Sequence, residues 1–430
     1  MDKNRFSAYY TLMDIERNLA YSNIALKRHI KRGRPDSPAF VRELTYGVLK
    51  NRMYLDFIIG NFVKTPVDKL RTSDLILLRM GLYQLIFMGS VPEYAAVSAT
   101  VDMAKRFSQG HDGFINGVLR QYLRDKDYLA LPERERDEVA YLSVKYSYAP
   151  WIVKLWLADY GSERAEAMLA AGNKTPVFSV RVNRLRTSRE EAMGKLQEKG
   201  FEARPGSRAP MCLLVEGSNL LYSRLYTNGF FSVQDESSQI AAEISGASPG
   251  ETVIDVCAAP GGKTLAMAER MGNKGKIHSW DVYKRRLALL ERDARRLGVT
   301  IVETKTWDAA RVSEEMLEAA DRVFVDVPCS GLGVTRRKPE IKYKEGEDGE
   351  DGLAGLHEKQ RAILAASAEY VKPGGCLIYA TCTISRHENQ DVVNGFLKKN
   401  RAFEVQETAQ LFPDVDNMDG FFVCRMRRNW

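Results

Sequence analysis

From the amino terminus to about residue 140, apolar side chains return every three or four positions and nowhere alternate, a spacing that predicts helices packed as a bundle. Within Phe40-Val-Arg-Glu-Leu-Thr-Tyr-Gly-Val-Leu-Lys50 the stripe is Val41, Leu44, Val48 and Leu49. The most apolar window, 74–88, is interrupted by Arg79 and Gln84 and is too short to span a bilayer. It reads as a buried helix, with Thr72, Ser73 and Asp74 as N-cap candidates. Gly33-Arg-Pro35 and Gly89-Ser-Val-Pro92 fall between helical stretches, where connections belong. From about residue 143 the pattern changes, with Trp151, Trp156 and Tyr160 at the transition. Phe178–Val182 and Gly200–Ala203 read as strands around an amphipathic helix over Ser188–Glu198, and Gly229–Asp235 leads into a helix from Glu236. Strands at 252–256, 276–280, 301–304, 322–326 and 376–380 then alternate with helix-length segments, which predicts a parallel sheet covered on both faces. The expected organisation is multidomain: an all-α bundle over 1–142, a small α+β module over 143–231 and an α/β Rossmann-like domain over 232–430.

Size and composition agree with this division. A chain of 430 residues exceeds what one hydrophobic core supports, and a 44% hydrophobic content is that of an ordered protein. The opening Met-Asp-Lys-Asn-Arg has no apolar core, so no secretory leader, no membrane partner and a cytoplasmic address are expected. The net charge of +7 is modest, yet basic residues cluster at Lys27-Arg28-His29 with Lys31, Arg32 and Arg34, at Lys284-Arg285-Arg286 and at Arg336-Arg337-Lys338, which favours a polyanionic partner. Residues 345–351 form an acidic stretch that reads as a mobile solvated loop. The cysteines at 212, 257, 329, 376, 382 and 424 make no CxxC pair and no zinc-ligand spacing with the histidines, so neither a disulfide frame nor a metal site is expected.

One turn carries the signature of a nucleoside site. Asp255-Val-Cys257-Ala258-Ala259-Pro260-Gly261-Gly262-Lys263-Thr264 follows a strand and opens a helix. Its Gly-Lys-Thr ending resembles a phosphate loop, but Cys257 stands where that loop needs its first glycine, and no Gly-x-Gly-x-x-Gly fingerprint is present. What remains is a tight turn in which Gly261 and Gly262 let a ligand approach the backbone. Asp281 closes the next strand at the position that holds ribose hydroxyls, and Asp308, after the third strand, can accept from an adenine amino group. A nucleoside without a triphosphate fits, and S-adenosylmethionine fits well.

The reactive groups are two thiols at strand ends: Cys329 in Asp326-Val-Pro-Cys-Ser-Gly and Cys382 in Tyr379-Ala-Thr-Cys-Thr. Carbon 5 of a pyrimidine is a poor nucleophile, so its methylation needs prior attack of a thiolate at carbon 6 and, afterwards, a base to take the carbon 5 proton. Spacing does not decide which thiol attacks. Asp326 can hydrogen-bond the ring nitrogen and exocyclic amine, and Lys263 can assist from the turn. Cys212, Cys376 and Cys424 lie in apolar strands and read as core.

These residues resemble the RNA (cytosine-carbon-5) methyltransferases, and within them the bacterial 16S ribosomal RNA enzymes called Fmu or Sun, over essentially the whole chain. The resemblance implies that Cys382 is the nucleophile, that Cys329 serves release of product, and that Cys257 to Lys263, Asp281, Arg286, Asp308 and Asp326 form the S-adenosylmethionine pocket. It also implies a NusB-like RNA-binding fold for the amino-terminal segment and an RNA-recognition-like fold for the middle one, where Arg181-Val-Asn183 and Val233–Gln239 fit recurrent segments. Trp307 before Asp308 and Arg386-His-Glu-Asn389 after the nucleophile depart from the family's usual glycine and Pro-Glu-Glu-Asn. The expectation is thus a monomeric, S-adenosylmethionine-dependent enzyme acting on cytosine in 16S ribosomal RNA. The same reaction on transfer RNA, or a non-catalytic RNA-binding assembly or antitermination factor, are the alternatives.

Overall fold

A computed structural model describes residues 2–18, 20–217, 220–343 and 350–430. The chain forms two compact units: Met1–Asn173 with Thr335–Gly346, and Lys174–Val334 with Glu347–Trp430.

The first unit is helical. Helix Thr72–Phe87 lies at its centre with every residue from Asp74 to Gln84 buried, as its composition requires. The polar interruptions are satisfied internally: Arg79 donates to both oxygens of Asp56 at 2.6 and 2.7 Å, and Gln84 accepts from Arg5 Nε at 2.7 Å. The expected cap differs. Arg71 occupies the N-cap and no side chain caps it, while Asp74, 1% exposed, bonds His111 Nδ1 at 2.6 Å and the Ser108 hydroxyl. On helix Pro38–Lys50 the stripe Val41, Leu44, Val48 and Leu49 is buried as read. Helices Glu138–Tyr146, Pro150–Tyr160 and Ser162–Ala171 continue the same unit through residues that sequence pattern grouped with the module that follows.

A strap drawn from far along the chain completes this unit. Fully buried Lys342 donates to the carbonyls of Lys50 and Tyr146 at 2.7 and 3.0 Å and to Asn173 Oδ1 at 2.6 Å, with its Nζ 4.2 Å from the centre of the Tyr148 ring. Three acceptors surround the amine, and burial, with Lys50 adding to it, holds Lys342 well below the usual lysine range. The third basic cluster is not the exposed patch expected from sequence, since Arg336 is 3% exposed and only Lys338 of the three is exposed. The cluster at 27–34 and Lys284–Arg286 are exposed, apart from half-buried His29.

The second unit holds two sheets. Strands β1 (Ser179–Val182), β2 (Glu202–Pro205), β3 (Cys212–Glu216) and β4 (Phe231–Val233) form a small antiparallel sheet in the order β2-β3-β1-β4. Strands β5 (Thr252–Asp255), β6 (Lys276–Asp281), β7 (Val302–Thr306), β8 (Ala320–Asp326), β9 (Val371–Thr381), β10 (Phe403–Leu411) and β11 (Phe421–Arg428) form a seven-stranded sheet, ordered β10-β11-β9-β8-β5-β6-β7. Pairing is parallel from β9 through β7, while β11 runs antiparallel to both β9 and β10. Both faces are covered: Val253 and Ile378 pack on one side, Ile254 and Leu377 on the other. This is the Rossmann-like plan expected from the alternation; Cys376 and Cys424 are buried in it, and Cys212 is buried on β3 of the small sheet, all as read. The strand order reverses between β5 and β8, so a ligand crevice opens beyond their carboxyl ends. The acidic stretch from Glu345 falls almost wholly on residues outside those described. Among the described residues no helix is long and apolar enough to cross a membrane, and no group of His, Cys, Asp and Glu is disposed to hold a metal ion.

Candidate active site

The glycine turn is built where β5 gives way to helix Gly262–Arg270. The amides of Val256 and Ala258 donate to Phe324 of β8 and Trp280 of β6 at 3.1 and 2.8 Å, which suspends the turn between its two neighbours. The two glycines have different reasons. Gly261 has φ +108°, and a Cβ there would fall 2.5 Å from Leu290 Cγ, so conformation and packing both demand glycine. Gly262 opens the helix, and a Cβ there would meet only the Gln234 side chain, 3.5 Å from Nε2 and 3.8 Å from Cδ, so packing does not demand glycine at this position. Arg181 of β1 fixes this helix from outside. Its guanidinium makes a buried pair with Glu269 at 3.0 and 2.8 Å and donates to the Gly262 carbonyl at 2.8 Å.

Around the turn, the structure brings most of the expected cofactor residues together. Asp281 is 6% exposed at the end of β6, with Oδ1 accepting the Tyr283 amide at 2.9 Å and Oδ2 3.6 Å from Arg286. Arg286 also donates to the Ala259 carbonyl at 2.7 Å, which ties Asp281 to the Cys257–Lys263 segment. Val282 and Tyr283 are exposed beside it. A carboxylate with spare acceptor capacity next to an open apolar strip suits the ribose and adenine of S-adenosylmethionine. Asp308 is less constrained: the Trp307 amide donates to the Asp281 carbonyl at 3.3 Å, but the Asp308 side chain is exposed and its nearest cation, Arg311, is 3.9 Å away. Cys257 is half-buried, and burial pushes its thiol up, so it lines the turn as a neutral group.

The reactive groups converge at the carboxyl ends of β8 and β9. Cys329 Sγ and Cys382 Sγ are 3.0 Å apart. Lys263 Nζ lies 2.8 Å from Asp326 Oδ2 and 4.8 Å from the centre of the Phe421 ring. Burial depresses Lys263, but Asp326, Cys382 and Asp255 outweigh it and hold the ammonium above the usual lysine range. Hydrogen bonding to Cys382, then burial, raises Cys329 well above an ordinary thiol, with Glu388 and Asp326 adding to the effect.

Two residues at this site were not singled out by sequence. Asp255, 1% exposed, accepts the Thr264 hydroxyl at 2.6 Å, and burial pushes its carboxyl up to about 7. Its place at the end of β5, matching Asp281 on β6 and Asp326 on β8, was the available signal. Glu388 is fully buried and hydrogen-bonded to Ser330, beside Cys329. It stood in a run of polar residues, Arg386-His-Glu-Asn389, which carries no sign of burial.

Comparison with known proteins agrees with this geometry. The family model for the 16S rRNA methyltransferase RsmB/F matches residues 244–427, the NusB family model matches 2–124, and a ferredoxin-like domain model of RsmF/B-like methyltransferases matches 148–220. The Bacillus subtilis protein named "Probable ribosomal RNA small subunit methyltransferase B" is 36% identical over 98% of both chains. "Ribosomal RNA small subunit methyltransferase B" of Vibrio cholerae is 32% identical over 97% of this chain and 94% of its own. Among solved structures, that of PH0851 covers 100% of this chain and 99% of its own, with TM-score 0.85 and 27% identity. A methyltransferase homologue from Pyrococcus horikoshii covers 68% of this chain and 99% of its own, with TM-score 0.61 and 26% identity. A turn for a nucleoside, paired thiols at the strand ends and full-length relatives of one kind lead to one assignment: the chain belongs to the 16S ribosomal RNA methyltransferase RsmB/F family.

Proposed function

We propose that the protein transfers a methyl group from S-adenosylmethionine to carbon 5 of a cytosine in 16S ribosomal RNA, through a covalent bond between Cys382 and carbon 6. The observation that carries this reading is the 3.0 Å approach of Cys329 and Cys382 beside the Lys263–Asp326 pair, at the ends of adjacent strands. S-adenosylmethionine bound at the glycine turn supplies an electrophilic methyl group. Asp281 and Arg286 would hold its nucleoside end, the Cys257–Gly262 backbone its approach to the turn, and Asp308 its exposed edge.

At so short a separation only one sulfur carries charge. The Lys263 ammonium favours that charge on Cys382, while Glu388 and Asp326 disfavour it on Cys329. Cys382 adds to carbon 6 of a cytosine turned out of its stack, with Asp326 accepting from the exocyclic amine and the Lys263 ammonium beside it offsetting the negative charge that develops. Once carbon 5 is methylated, its proton must leave before the carbon–sulfur bond can break. Attachment of Cys382 to the ring removes the group that contributes most to holding Cys329 protonated. Cys329 then gives its proton to solvent, the resulting thiolate takes the carbon 5 proton, and Cys382 departs as a thiolate. Residues 232–430 carry this chemistry, 143–231 support the turn through Arg181, and 1–142 bind RNA through the exposed cluster at 27–34.

The test is incubation with radiolabelled S-adenosylmethionine and, in parallel, unmodified 16S ribosomal RNA and transfer RNA, followed by nucleoside analysis of each. Labelled 5-methylcytidine is expected. Label in any other nucleoside, or in transfer RNA alone, would overturn the assignment.

A further inference from the structure

Glu388 is 0% exposed, and a carboxylate is expensive to bury unless its oxygens are bonded. Here they are. Oε2 accepts the Ser330 amide at 2.8 Å and Gln360 Nε2 at 2.9 Å, and Oε1 accepts the Ser330 hydroxyl. Gln360, equally buried, also donates to the Pro328 carbonyl at 3.0 Å. The Ser330 hydroxyl in turn lies 2.9 Å from Thr383 Oγ1. Ser330 directly follows Cys329, and Thr383 directly follows Cys382. Asn389, next to Glu388, accepts the Thr381 hydroxyl at 2.6 Å and donates to the Thr383 carbonyl at 3.1 Å, which braces the second loop from its other side. The two loops come from different strands, so each needs a fixed reference if their sulfurs are to meet one ring.

We propose that Glu388 is the positioning residue of the thiol pair, clamping the Pro328-Cys-Ser330 and Thr381-Cys-Thr383 loops so that a single substrate ring meets both sulfurs. The negative charge also lies on the Cys329 side, where it opposes ionisation of that thiol before the other has reacted. The catalytic consequence rests on the function proposed above, whereas the clamp is a statement about the free protein.

Two variants and two readouts test it on the full chain. Glu388→Ala removes the clamp. In Glu388→Gln the amide oxygen can accept from Ser330 and Gln360 while the amide nitrogen donates to the Ser330 hydroxyl, so the register is kept. The first readout is the rate at which diamide, an azo oxidant that takes two electrons and two protons from two thiols, joins Cys329 to Cys382, followed by peptide mass spectrometry. The second is the split between kcat and KM for S-adenosylmethionine. Glu388→Ala is expected to slow both cross-linking and kcat by about 10²-fold with KM nearly unchanged, the scale of an ångström-sized misplacement, and Glu388→Gln to restore both to within about tenfold. Ser330→Ala, which removes only the hydroxyl bridge, is expected to lower both by about tenfold, and replaces Glu388→Ala should that variant not fold. A folded Glu388→Ala or Ser330→Ala protein that cross-links and turns over like the wild type would overturn the proposal. Wild-type protein that cross-links quickly but makes no 5-methylcytidine would instead reject the proposed reaction and leave the clamp standing.

Discussion

Replacing each glycine of the cofactor turn by alanine separates its two uses. At Gly261 the φ of +108° costs a residue with a Cβ about 1–2 kcal/mol. The new methyl group would also sit 2.5 Å from Leu290 Cγ and 2.9 Å from its Cβ, an overlap that Leu290 relieves only by shifting on helix Lys284–Leu297, at about 1–3 kcal/mol. Gly261→Ala therefore loses about 2–5 kcal/mol, which for a unit of this size lowers the unfolding temperature by roughly 4–20 °C. At Gly262 the nearest atom is 3.5 Å away and the residue is the first of its helix, where alanine is the better former by at most about 1 kcal/mol. Gly262→Ala should leave the free protein as stable or slightly more so, yet weaken S-adenosylmethionine because the methyl group occupies the ligand's approach. Differential scanning fluorimetry of the free proteins and calorimetric titration with the cofactor read the two effects separately. Equal loss of stability in both variants, or unchanged cofactor affinity in Gly262→Ala, would refute the division.

Two further substitutions test buried titratable groups. The Asp255 carboxyl, raised to about 7 in the folded protein, binds more protons folded than unfolded between about pH 4 and 7, so its contribution to stability is full at low pH and is lost as pH rises through that window. The change amounts to about 4 kcal/mol, so the advantage of Asp255→Asn over wild type should grow by up to that amount between about pH 4 and 8 in urea denaturation, and a pH-independent difference would contradict the raised carboxyl. Lys342→Met leaves three acceptors in the helical unit without their donor and should cost roughly 3 kcal/mol by chemical denaturation; a neutral substitution would show that the strap is held by packing alone.

Strands buried on both faces were legible because they read as short unbroken apolar runs, as in Thr252–Asp255 and Arg322–Asp326. Strand β10 was missed for the opposite reason. Its run Phe403-Glu-Val-Gln-Glu-Thr is largely exposed and pairs only with β11, so no burial pattern marks it. Asp74 has the type and position of a helix cap, and only the approach of Ser108 and His111 diverts it. Likewise Arg336 and Lys342 look like solvated basic residues until the chain returns to the helices of the amino-terminal unit. That Cys329, Cys382, Asp326 and Lys263 gather at one place was legible from strand ends sharing one edge of a parallel sheet, whereas the 3.0 Å contact of the two sulfurs and the Lys263–Asp326 pair were not, because spacing along the chain does not fix side-chain contacts. Glu388 was not legible, since what distinguishes it is burial created by Ser330 and Gln360, distant in sequence and polar themselves.

The central claim is that Cys382 bonds to the cytosine and Cys329 releases it. Cys329→Ala protein incubated with 16S ribosomal RNA and S-adenosylmethionine, denatured, digested and examined by mass spectrometry, should hold an RNA fragment on the peptide of Cys382, bonded through carbon 6 of a 5-methyl-5,6-dihydrocytidine. A fragment attached to any other residue, or rapid turnover by Cys329→Ala with no attached RNA, would contradict it.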